Sequence, residues 1–342
     1  MNSLIGKNIL IFYPYGTTVH YGKAISKELR TRGSNVDEYD ERPSQGTFSK
    51  IFIRLFKNKF PSYFNRYIKS VIKQNALKDY DYIIVLRGEA FTSESLDILK
   101  SAYPKAKTIL YLWDIMRTTK TANVVNCFDS AFTFDPGDAR RNECLTFRPT
   151  FFIPDYSNIA NNNEQKRFHI SFTGTLHSNR HIFLQRLFDY FESIGLKLDK
   201  YLFVPSRIVY LKDFFTKFPY ISPRKIHFSR ATLSDILKQV SHSYALLDIN
   251  YTAQESLSMR AYEAMAAHRK YITTNPEVKK YDFYNPKNIM VIDLNDCQID
   301  KNWVTSPFVP IKDEIMYKYS VPGLVDVIIG NNPDFRYFRS NY

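Results

Sequence analysis

The chain has 342 residues, 44% hydrophobic and 24% charged, a globular composition long enough for two cores rather than one. Its net charge of +13 points to an acidic partner or surface: anionic lipid, a diphosphate ligand or nucleic acid. Cys127, Cys144 and Cys297 form no CxxC pair, which argues against a disulfide framework and for a reducing cytoplasm. No run approaches the ~18 apolar residues of a spanning helix, and the stretch MNSLIGKNILIFYPYG is too short in its apolar core to read as a signal peptide.

Asn8–Tyr13 is an unbroken apolar run of the kind buried on both faces of a parallel sheet. A loop over Pro14–Tyr21 contains Gly16 and His20, a helix is expected over Gly22–Arg32 with its stop at Gly33, and Asn35–Tyr39 reads as a second strand. Ser49–Gln74 carries seven Lys/Arg and no acid, interleaved with Ile, Phe and Tyr. We read it as a basic amphipathic surface lying on anionic lipid, where each cation near the bilayer contributes about 1 kcal/mol. A helix packed on the sheet with its basic face solvated explains the same pattern, and no nucleic-acid-binding signature accompanies the charge. Next come strands over Tyr82–Leu86, followed by Arg87-Gly88-Glu89, and Thr108–Leu112, ending in Trp113-Asp114, with a helix over Ser93–Ala102 between them. Ala131–Phe134 is a further short strand. This alternation predicts a parallel, helix-covered sheet with its ligand at the carboxyl ends of the strands. Gly16, His20, Arg87, Glu89 and Asp114 then share one rim. Asp114 or Glu89 suits a general base there, His20 is a further candidate, and a helix cap or an ion pair with Arg87 accounts for the carboxylates equally well.

The Asn-rich stretch Tyr156–Arg167 reads as a linker between a first domain, 1–155, and a second, 168–312, with a helix and tail over 313–342 that packs back on the first domain or stays loosely ordered. The second domain opens on a strand, Phe168–Thr173, and on Gly174-Thr175, where a phosphate can approach the backbone closely. A helix from Ser178 to about Ser193 keeps apolar spacing, and strands follow near Leu202–Val204, Lys225–Phe228, Ala245–Ile249, Lys270–Thr273 and Ile289–Ile292. The expected architecture is α/β, two βαβ domains facing each other across a cleft. After Ala245–Ile249 a helix begins whose first turns carry Ser258, Arg260 and Glu263, and the next strand ends in Thr273-Thr274-Asn275. A helix starting beside a strand's carboxyl end offers unpaired N–H groups and a positive dipole end to phosphate. Arg260 adds a planar cation, and Glu263 on the same helical face suits sugar hydroxyls. No HExxH, Walker lysine loop, GxGxxG or metal-spaced Cys/His cluster occurs, so neither a metal nor a cofactor is expected.

The run Gln254–Arg260 with Glu263, then Tyr271–Asn275 and Tyr281–Asn285, resembles bacterial glycosyltransferase-like proteins of capsule, exopolysaccharide and lipopolysaccharide biosynthesis. Arg87-Gly88-Glu89, Tyr111–Asp114 and Phe132–Asp135 resemble the first domain of the same group. The resemblance spans roughly Asn8 to Tyr319. It implies a GT-B fold of two Rossmann-like domains, a nucleotide-sugar donor in the second and an acceptor on the first. Under it Gly174, Thr175, Ser258, Arg260, Glu263 and Asn275 hold the donor. Gly16, His20 and Arg87 lie on the acceptor side, and Asp114 or Glu89 deprotonates the acceptor. Glu255 and Glu263 match the Glu-x7-Glu spacing of many retaining members, so Glu255 holds the sugar if the chemistry is retaining. The expected protein is a metal-independent glycosyltransferase, cytoplasmic and peripheral at the inner face of the cell membrane. Its partners are a nucleotide-sugar, a glycan or lipid-linked glycan acceptor and, through residues 49–74, an anionic membrane surface, with no nucleic acid. A non-catalytic scaffold of the same fold is the rival reading.

Overall fold

The structure is a computed structural model describing residues 4–46, 53, 61–162, 164–176, 180–207, 210–211, 226–250, 255–293, 297–330 and 335–339. It divides into two compact units. The first comprises Met1–Thr150, Ala253–Ser256 and Lys318–Phe335; the second comprises Phe151–Thr252, Leu257–Tyr317 and Arg336–Tyr342.

The first unit is a parallel sheet of order β2-β1-β3-β4-β5-β6. Its strands are β1 (Asn8–Tyr13), β2 (Asn35–Asp40), β3 (Tyr82–Leu86), β4 (Lys107–Leu112), β5 (Ser130–Thr133) and β6 (Leu145–Phe147). The apolar runs of β1, β3 and β4 are buried on both faces, so they occupy the sheet centre, while the polar β2 (NVDEYD) takes an edge. Helix α1 (Val19–Thr31) starts earlier than its sequence suggests, which puts His20 on the helix and not in a loop. Gly22 is there because Tyr13 is: a Cβ at Gly22 would lie 2.3 Å from the Tyr13 ring. Helix α2 (Pro61–Gln74) turns Phe64, Ile68 and Val71 into the core and leaves Arg66, Lys69 and Lys73 exposed along one face. The apolar side of this helix is therefore spent on the core, and residues 49–52 and 54–60 of the basic stretch lie outside the described residues. Helix α3 (Ser93–Ala102) starts on a Thr92–Ser95 capping box, and α4 (Pro136–Arg141) is capped by Asp135.

The second unit has the strand order β12-β11-β10-β7-β8-β9, again all parallel. Its elements are α5 (Pro154–Ala160), β7 (Phe168–Thr175), α6 (Arg180–Ser193), β8 (Leu198–Phe203), β9 (Ile226–His227), α7 (Leu233–Ser241), β10 (Ser243–Asp248), α8 (Met259–Ala266), β11 (Lys270–Thr273) and β12 (Ile289–Val291). Ile170 and Phe172 of β7 and Ala245 and Leu247 of β10 share one core with Leu184, Leu187, Phe188 and Phe191 of α6. Part of the stretch read as a linker is helical: α5, with Pro154 in its first turn and Tyr156 and Ile159 buried, packs against α7 and α8.

The chain end is divided. Helix α9 (Val321–Ile328) packs on α1, with Arg32 donating to Asp326 at 2.5 Å and to the Pro322 carbonyl at 2.9 Å. Beyond it Phe338 bridges Tyr281 in antiparallel fashion, and Arg339 N–H donates to the Lys280 carbonyl at 2.8 Å. That segment is docked by backbone hydrogen bonds within the second unit, not loose.

Candidate active site

Each sheet gathers polar groups at the carboxyl ends of its strands. In the first unit the residues just after β2, β3 and β4 form a charge cluster. Glu41 is fully buried, Glu89 and Arg42 nearly so, and only Asp114, with its side chain 42% exposed, opens to solvent. Arg87 is the hub. Its Nε lies 2.7 Å from Asp114 Oδ2, its Nη2 3.3 Å from Glu89 Oε2 and its Nη1 3.7 Å from Glu41 Oε1. Arg42 pairs with Glu89 and lies 3.8 Å from Glu41. Arg87 reaches these partners from a left-handed backbone (φ 75°) that continues into Gly88 (φ 69°), a conformation disfavoured for a side chain with a Cβ and held here by the ion pairs. Burial opposes the charge of Arg87, yet Glu41, Asp114 and Glu89 outweigh it and hold its guanidinium above its ordinary value. Two sequence expectations change accordingly. Glu89, 2% exposed and held by two guanidinia, is not placed to take a proton from a substrate, and Asp114 alone among the rim carboxylates is accessible. The His20 ring lies tilted against Tyr21 with ring centroids 4.2 Å apart, and the Gly16 carbonyl accepts from Val19 N–H at 3.2 Å, so both build the start of α1.

In the second unit the site centres on the start of α8. Ser258 is the N-cap by backbone position, but its hydroxyl makes no cap bond. Instead it donates to Asp248 Oδ2 at 2.8 Å, as does the Tyr271 hydroxyl, also at 2.8 Å. Burial, with Asp248 adding to it, pushes the Tyr271 phenol well above its usual range, so it stays a donor. The strand-terminal Asp248 thus draws the Ser258 hydroxyl aside, so that Ser258 itself does not cap this eight-residue helix through its side chain. Arg260 on the first turn and Glu263 on the next form a pair, Nη1 to Oε2 at 3.0 Å. The cation at the helix mouth is therefore shared with a carboxylate of its own helix.

Three donor-side expectations meet a structural reason. Gly174 lies inside β7, which pairs with β8 as far as Thr175 while its register with β10 reaches only Ser171. Its missing side chain makes room for Phe172, whose ring would stand 2.7 Å from an added Cβ. Asn275 caps the 3-10 turn Pro276–Lys280 by accepting from Glu277 N–H at 3.0 Å, and it is 2% exposed. Glu255 belongs to the first unit with Ser256: its carboxylate pairs with Arg140 and comes so close over Gly137 that a Cβ there would meet it at 2.8 Å. Ser256 N–H donates to Asp135 at 3.1 Å. Asp248 was missed from the sequence; a lone acid closing an apolar strand was its only signal. Glu41 and Arg42 were missed because a polar edge strand hides where its end points.

Two units, each a six-stranded parallel sheet flanked by helices, give this chain the GT-B fold. No protein-family model matches it, and no curated protein matches its sequence. Among solved structures it is similar to the catalytic domain of starch synthase IV from Arabidopsis thaliana bound to ADP and acarbose (TM-score 0.59, 9% identity, 95% of this chain and 99% of that one). It is similar as well to MurG of Acinetobacter baumannii (TM-score 0.52, 10% identity, 95% and 99%). A third is the UDP-GlcNAc 2-epimerase of Methanocaldococcus jannaschii in complex with UDP-GlcNAc and UDP (TM-score 0.51, 13% identity, 95% and 99%). At these identities the likeness is one of fold.

Proposed function

We propose that the chain is a glycosyltransferase that moves a sugar from a nucleotide-sugar donor to a surface-glycan acceptor of the capsule, exopolysaccharide or lipopolysaccharide kind. The observation that carries the reading is the start of α8, where Ser258 makes no side-chain cap, with Arg260 on its first turn paired to Glu263 on the next. An arriving diphosphate competes with Glu263 for the Arg260 fork and meets the positive end of the helix dipole. The carboxylate it displaces is then available to ribose or sugar hydroxyls. As the glycosidic bond breaks, charge grows on the diphosphate, and these same donors stabilise it without reorganising. The acceptor hydroxyl gives its proton to Asp114, the accessible carboxylate of the first sheet. Glu255 pairs with Arg140 and Glu263 with Arg260; we assign contact with the sugar to Glu263, which the diphosphate releases, and read the transfer as inverting with Asp114 as its base. The exposed Arg66, Lys69 and Lys73 of α2 supply an electrostatic contact to the inner face of an anionic membrane. Among the described residues no helix is long and apolar enough to cross a membrane.

The test is a thermal-shift screen against UDP-, GDP-, CMP- and dTDP-sugars, since a ligand at about 100 times its Kd stabilises the folded state by about 2.7 kcal/mol. One donor is expected to raise the Tm, and Arg260→Ala to cut that rise to about half or less at the same donor concentration. A full response from Arg260→Ala refutes the phosphate placement. Binding without sugar transfer or donor hydrolysis supports the scaffold reading instead.

A further inference from the structure

The first unit's charge cluster holds three carboxylates, Glu41, Glu89 and Asp114, against two guanidinia, Arg42 and Arg87. They are not equivalent. Glu89 lies beneath both arginines, Asp114 stands at the surface, and Glu41 is sealed: its Oε2 accepts Glu89 N–H at 3.2 Å, while its Oε1 lies near both guanidinia without a hydrogen bond. The groups facing Glu41 are Arg42 beside it in the chain and Arg87 and Glu89 from the segment after β3. The neighbouring Asp40 carboxylate is turned instead to the amides of Tyr15 and Arg42. The Arg87 guanidinium lies against both Glu41 and Asp114.

The geometry points to Glu41 as a positioning residue for Asp114, acting through the guanidinium of Arg87 that the two carboxyl groups share. When Glu41 carries a proton, two carboxylates match two guanidinia and Arg87 is held firmly by Asp114. When Glu41 ionises, a third negative charge draws Arg87 inward, Asp114 loses part of its counter-charge, and its proton affinity rises. Burial pushes the Glu41 carboxyl up to about 7, against the pull of Arg87 and Arg42 and with the push of Glu89, which places the change in the physiological range. The inference rests on Asp114 as the acceptor base for its catalytic consequence, but the coupling stands on the cluster alone.

The experiment is a carboxyl-carbon NMR titration of the full chain, selectively labelled at Asp and Glu, from about pH 4 to 9. In the wild type the Asp114 signal is expected to show its own titration and a second inflection coincident with that of Glu41, near pH 7. In Glu41→Gln the second inflection is expected to vanish. A single-step Asp114 curve in the wild type, which needs no variant to fold, overturns the proposal, and so does a second step that persists in Glu41→Gln. If a donor is turned over, kcat is expected to rise through the same pH in the wild type and not in Glu41→Gln, and absence of the wild-type rise also overturns it. If no donor is turned over, the transferase reading fails while the carboxyl titration still decides the coupling.

Discussion

Replacing Glu41 by Gln tests whether a buried acid is held in this cluster at a cost to the fold. The carboxyl has an ordinary value of 4.5 and is raised to about 7 in the folded protein. A raised folded value means that the folded state binds the proton more tightly than the unfolded chain. Its contribution is therefore fully present below about pH 4.5 and is lost as pH rises through about 7. Between pH 5 and pH 8 the loss works out at about 2.5 kcal/mol, from 1.36 kcal/mol per pKa unit. Gln keeps the shape and an acceptor for Glu89 N–H but cannot ionise. Chemical unfolding of both proteins across this range should give a wild-type stability that falls toward pH 8 by about 2.5 kcal/mol more than that of the variant. Titrating groups outside this cluster are common to both and cancel in the difference. Parallel curves would refute the reasoning, because they would mean that Glu41 titrates alike in the folded and unfolded chains.

Calorimetric titration of the donor identified by the thermal screen should find Arg260→Ala about 10–100-fold weaker, as expected for losing a charge-assisted contact of about 1.5–3 kcal/mol. Ser258→Ala removes one hydrogen bond from Asp248 and should cost about 1 kcal/mol in denaturant unfolding; no change would mean that Asp248 does not anchor the helix start. Gly22→Ala gains about 1 kcal/mol of helix propensity but drives a methyl into the Tyr13 ring, at the upper end of about 1–3 kcal/mol for overpacking. A net loss of about 1–2 kcal/mol should appear as a lower denaturation midpoint, and a stabilised variant would contradict the contact. Removing Arg66, Lys69 and Lys73 together by alanine should weaken sedimentation with phosphatidylserine vesicles by about 3 kcal/mol, at roughly 1 kcal/mol per cation; equal binding would free α2 of that role.

The sheets were legible because parallel strands buried on both faces are written as unbroken apolar runs, as in Asn8–Tyr13 and Tyr82–Leu86. Strand ends followed, so Arg87, Asp114 and Ser258 were found at carboxyl edges. Their partners were harder to see. Arg42 pairs with Glu89 across 47 residues, and Ser258 bonds an acid ten residues back on the previous strand, so neither choice is set by local periodicity. The short strand Leu145–Phe147 is half polar and only three residues long, too brief to show an alternation. Gly174 and Asn275 look like ligand-binding residues in sequence because Gly and Asn serve turns, caps and close packing with the same chemistry.

Helix α9 has a consequence for how the molecule is made. Its residues leave the ribosome only after the strands of the second unit, yet they cover α1, whose Arg32 waits for Asp326 across 294 positions of chain. The first unit to be translated is thus the last to be finished. An amino-terminal fragment ending near Thr150 would lack α9 and leave Arg32 without Asp326, so dissection of this protein into halves must carry residues 318–335 along with the first.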